Sequence, residues 1–201
     1  MENKVIEWTL DDIEGELRRI SLVSTPAIEE EFLLFSAVEM FKTIDTEKRV
    51  VTGAAMRANI NIPRKDDNGE IYYGFFSEDT VRKAAQLFFK KGSNTNLTNL
   101  EHDFEIDGVY VYESWIVEDP ELDKSKFLKF TDVRKGDWFV SMKIDNDVVW
   151  DSYLKTGLIR GFSVEAKLNE TEVSILNKIN ELLESDMDIQ EQWDRLSKLL
   201  K

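Results

Sequence analysis

Residues 138–166 read WFVSMKIDNDVVWDSYLKTGLIRGFSVEA, and the way this stretch divides governs the reading of the rest of the chain. DWFVSMKID (137–145) has the composition of a strand, and VVWDSYLK (148–155) reads as a short helix. After Gly157 the run LIRGFSVEAKL (158–168) resumes as a strand. Gly161-Phe162-Ser163 then delivers a serine at the start of that strand from a turn of small residues. A glycine at close approach leaves room for a substrate carbonyl and for backbone N–H donors aimed at an oxyanion. The plainer reading of Ser163 is an ordinary edge-strand serine.

Upstream, VIEWTL and LRRISLV read as short strands, the second ending before Pro26. Residues 29–40 (EEEFLLFSAVEM) suit a helix or a strand equally. RVVTGAAMRANI (49–60) is a strand, PRKDDNG (63–69) a loop in which Asn68-Gly69 signals a hairpin, and EIYYGFF (70–76) the next strand. Ser77 caps a helix, with acids in its first turn and Val81, Ala84, Ala85 and Phe88 at helical spacing until Gly92. Strands follow at TNLTNLEHDF (95–104) and GVYVYESWIVED (108–119), then a polar loop over 120–136. Beyond residue 169 the apolar positions recur at helical spacing, with a break at Ser185-Asp186. The expected fold is α+β: a mostly antiparallel, barrel-like β core with surrounding helices, in a domain over 1–168, and a helical tail over 169–201.

The 201 residues suit one domain, and 42% hydrophobic content marks a folded chain. A net charge of −14 repels nucleic-acid phosphates, so no nucleic-acid partner is expected. No apolar run approaches a membrane span and MENKVIEWTLDD lacks signal-peptide features, so no membrane partner is expected either. With no cysteine, the chain needs no oxidising compartment, and a cytoplasmic setting follows. One histidine cannot supply the usual zinc set, the acidic pairs read as solvated loops, and no phosphate-cradling glycine loop occurs. Neither a metal nor a cofactor is expected.

The single histidine, His102, lies in NLEHDF (99–104). A lone histidine is usually structural or merely exposed; its functional reading is a general base for a hydroxyl proton.

Taken together, the segment 138–166, NLEHDF, VYVYESWIVED and residues 49–88 resemble the prohead proteases of tailed phages, serine proteases that share a fold with the herpesvirus assemblins. The resemblance spans residues 48–166, and His102 and Ser163 match the family's two main catalytic residues in order and spacing. It implies acyl transfer, with Ser163 as nucleophile and His102 as base, and with Arg160, Gly161 and Phe162 around the oxyanion and substrate. In most such proteases a Ser-Leu-Val-x-x-Pro-Ala-like strand follows the nucleophile and supplies the third catalytic residue. Here ISLVSTPAI stands at 20–28, before everything else. The chain therefore resembles a circularly permuted subgroup of phage serine proteases, in which the N-terminal strand over 17–25 completes the core.

The third position then falls near Ser21, with Arg19 beside it. Glu165, on the Ser163 face of its strand, is the acidic alternative, whereas Glu101 and Asp103 flank His102 and point away from it. Implied partners are scaffold and major capsid proteins inside an assembling prohead in the host cytoplasm, with self-cleavage; the chain could also assemble with its own copies. The rival class is a catalytically inactive protease fold that serves as a capsid-assembly or structural factor. An unrelated β-rich binding module is a third class, and it requires the matches around His102 and Ser163 to be coincidence.

Overall fold

The computed structural model of the chain describes residues 4–10, 17–24, 42–45, 47–66, 68–90, 92, 98–100, 104–166, 168–173 and 188–199. The strands are β1 (Val5–Thr9), β2 (Leu17–Val23), β3 (Lys42–Asp45), β4 (Val50–Met56), β5 (Ile62–Lys65) and β6 (Ile71–Phe75). Helix α1 (Glu78–Lys90) comes next, then β7 (Asn99–Leu100), β8 (Phe104–Glu105), β9 (Val109–Ile116) and the short helix α2 (Lys124–Phe127). β10 (Trp138–Ile144), a π-helical turn (Val149–Leu154), β11 (Gly161–Ala166), β12 (Asn169–Glu172) and helix α3 (Ile189–Leu199) complete the order.

These strands form three four-stranded sheets, ordered β12-β1-β6-β5, β3-β4-β10-β9 and β11-β2-β7-β8. The fold is α+β, mostly strand with few helices. None of the sheets closes into a barrel among the described residues. Most pairings are antiparallel; β1 with β6 and β2 with β7 run parallel.

Alternation explains why one core serves several sheets. On β10, Trp138, Val140, Met142 and Ile144 point into the main core, where they meet Ile20 and Leu22 of β2 and the apolar stripe of α1. That stripe is Val81, Ala84, Ala85 and Phe88, the set whose spacing marks the helix in the sequence, and Phe88 meets Trp138 edge-on at 5.6 Å. Burying one such large side chain is worth roughly 1.5–3 kcal/mol. The other face of β10 carries Phe139 into a smaller cluster with Val117 and Phe130. In the N-terminal sheet, a Cβ at Gly74 would stand 2.1 Å from the Trp8 ring, so only glycine lets the indole lie across β6.

Several stretches differ from the sequence reading; the one read as a single strand over 95–104 holds β7 and the start of β8, two-residue strands paired antiparallel. Residues 62–65 extend as a strand into the segment read as a loop; Pro63 is tolerated there because β5 is an edge strand. The turn itself is tighter, with Gly69 at φ +80° and the Asp66 carboxylate accepting from the amides of Asn68 and Glu70. Within the loop at 120–136, Asp123 caps α2 by accepting from the Ser125 amide at 2.7 Å. The segment read as helical from 169 begins instead with β12, whose Asn169–Glu172 lie antiparallel to β1. Residues 29–40 and the first tail segment, 174–187, lie outside the described residues.

Candidate active site

β2 is the strand around which the site is organised. Its sequence LRRISLV sends Ile20 and Leu22 into the core and leaves Arg19 and Ser21 on the opposite face. β11 runs antiparallel to it with Ser163 opposite Ser21 and Glu165 opposite Arg19. Directly opposed residues share a face, so Ser163, Ser21, Glu165 and Arg19 project together. Ser21 is fully buried and Ser163 half-buried.

On the other side of β2, Leu22 pairs with Leu100 of β7, and β7 pairs in turn with β8 through Leu100 with Phe104 and Asn99 with Glu105. The chain places Glu101, His102 and Asp103 between those paired residues, and all three lie outside the described residues. The N-terminal strand thus sits between the serine strand and the strand that leads to the histidine segment.

Arg19 links three strands on the polar face. Its guanidinium donates to Glu105 Oε1 at 3.4 Å, and its Nε stands 3.3 Å from Glu165 Oε2. That second distance is within ion-pair range, but Nε is buried and has no hydrogen bond, so the contact is electrostatic. Both acids are partly exposed, Glu105 more than Glu165.

The residues read as oxyanion or substrate contacts have distinct places. The Phe162 side chain is buried in the main core, opposite Ser163, so toward a substrate it offers only its backbone. Gly161 is buried in register with Val23. The Arg160 amide donates to the Val23 carbonyl at 3.0 Å, and its Nε donates to the Gly157 carbonyl at 2.7 Å, which folds the side chain back on the preceding turn. Gly157 adopts φ +71°, and the amides of Leu158 and Ile159 both reach the Tyr153 carbonyl. Buried Ile159 anchors this turn, and β11 starts directly after it.

Residues 37–172, two thirds of the chain, match the family described as "Putative phage serine protease XkdF". The chain belongs to that family. No curated protein and no solved structure matches the chain. The matched span contains His102 and Ser163 but starts after β2, so the strand joining their two halves of the sheet lies outside it.

Two participants on this face went unread in the sequence: the acid Glu105 and the bridging role of Arg19. The alternation of LRRISLV already puts Arg19 on the Ser21 face; its reach to β8 depends on the order of the strands, which pattern does not reveal.

Proposed function

We propose that the chain is a serine endopeptidase of phage prohead maturation that cleaves scaffold and capsid-protein extensions during head assembly in the host cytoplasm. One observation carries this reading beyond family membership: Ser163 shares a sheet face with buried Ser21, on a strand whose other neighbour leads to His102. In the proposed reaction His102 takes the Ser163 proton as Oγ attacks a peptide carbonyl. The C–N bond then breaks, the proton passes to the leaving amine, and water releases the acyl group. Ser21 orients the imidazole by accepting its second N–H, and Glu165 is the acidic alternative. The assemblin-like barrel and its circular permutation, with β2 in the place of a C-terminal strand, belong to this proposal.

Ser163→Ala removes the nucleophile from a half-buried position, so the fold should persist while cleavage of a co-expressed scaffold protein falls on the order of 10⁴-fold or more in a gel assay. Cleavage by that variant at the wild-type rate would sink the assignment. The non-enzymatic reading draws support from the Arg19 charge set against Glu165, which weakens that acid as an orienter. A fluorophosphonate probe separates the two: adduct at Ser163 favours the enzyme, and an intact, unlabelled protein in assembled particles favours the structural role.

A further inference from the structure

We propose that Arg19 is a positioning residue: its guanidinium fixes the nucleophile strand against the hairpin arm that flanks His102, by pairing with Glu165 on one side and Glu105 on the other. This rests on the protease reading above and adds a residue to it.

The placement is specific. Glu165 lies two residues past Ser163 on the same face of β11, and Glu105 is the second residue of β8, three past His102 in the chain. Arg19 on the intervening strand contacts both, at 3.3 Å and 3.4 Å. β7 separates β2 from β8, so the contact with Glu105 crosses a whole strand and needs a long side chain. A planar fork can address two carboxylates on opposite sides, whereas an ammonium acts as one point charge.

Stability does not account for the arrangement. The arm to Glu105 is open to solvent and adds little to folding, and the sheet is already held by the β2–β11 ladder and by Ile20, Leu22 and Phe162 in the core. Position is the property that remains. Without Arg19, Glu165 and Glu105 lose the cation they share, and the strand bearing Ser163 and the hairpin arm next to the His102 segment lose their common tether. Displacements of an ångström between reacting groups cost rate far more than they cost folding.

The test uses the full chain with two readouts. One is the rate at which a fluorophosphonate labels Ser163. The other is the titration of the one imidazole, His102, followed by NMR. Arg19→Ala should keep the wild-type circular dichroism and a near-native melting temperature. It should label about tenfold or more slowly and shift the His102 titration upward, because a cation is lost while the carboxylates stay. Arg19→Lys should recover part of both. Wild-type labelling together with an unmoved His102 titration in Arg19→Ala overturns the proposal, as does a loss of labelling that only follows unfolding. If the wild type itself never labels, the protease reading falls, and the imidazole titration alone then decides whether Arg19 acts on that segment: a shift upholds it and no shift overturns it.

Discussion

β10 and β2 hold equivalent places, each central in a four-stranded sheet and each giving one face to the same main core. They differ on the opposite face. Behind β10 lie Phe139, stacked on Trp115 at 5.4 Å and edge-on to Phe130 at 5.1 Å, and Ser141, which is bonded at every turn. Ser141 Oγ shares a 2.8 Å hydrogen bond with Thr52 and donates to Glu113 at 2.9 Å, and Lys124 Nζ donates to Glu113 in turn. Behind β2 lie Ser21, Arg19 and, across the ladder, Ser163 and Glu165. Both faces therefore carry a serine near carboxylates. Ser141 is 1% exposed with its proton committed to Glu113, so it is a structural hydroxyl, whereas Ser163 is half-buried on a strand that only β2 separates from the one leading to the only histidine. A serine is read by what covers it and what takes its proton, not by the acids around it.

The largest effect that would test this contrast is on the sealed face. Phe139→Ala should lower the unfolding free energy by about 3–5 kcal/mol in urea titrations, since two aromatic partners are left facing a void. Fluorophosphonate labelling per folded molecule should stay at the wild-type level. A labelling loss beyond the unfolded fraction would mean that the two faces are coupled and the contrast is false.

The sealed face was also the more legible one. Residues 138–144 alternate large apolar side chains, the spacing of Val81, Ala84, Ala85 and Phe88 marks α1, and Ser77 begins it; these are local patterns and they appear as read. β12 was unreadable because Asn-Glu-Thr-Glu has no apolar residue, and only β1 beside it makes it a strand. The pairing of β2 with β11 was legible only as an implication of the family resemblance, because the two strands are about 140 residues apart and no local pattern joins them. Ser21 was named from that resemblance; the Arg19 bridge was not, because it depends on β8 lying two strands away.

Paired serine deletions sharpen the comparison at a smaller scale. Ser141→Ala should destabilise by about 1–3 kcal/mol, since it strips a partner from buried Thr52 and from Glu113, with little effect on labelling of Ser163. Ser21→Ala should destabilise to a similar extent, about 1–3 kcal/mol, since that hydroxyl is also fully buried, but in addition slow labelling severalfold. Equal effects on labelling from the two variants would remove the distinction between a structural and a working hydroxyl.

The smallest expected effect concerns Glu113, and its sign is fixed by its partners. Burial pushes its carboxyl up, but hydrogen bonds from Lys124 and Ser141 and the Lys124 charge outweigh that and leave it below the ordinary glutamate value. A carboxyl that is more acidic folded than unfolded contributes stability above its unfolded value and loses that contribution as pH falls through the lowered one. The margin of wild type over Glu113→Gln in urea unfolding should therefore be constant near neutral pH and shrink as pH falls through the acid range. The effect is small because Glu113 and Lys124 are both partly open to solvent. A margin that grew on acidification would mean that the carboxylate is tolerated behind β10 and not held there. The face behind β10 would then resemble the one behind β2 more closely than its packing implies.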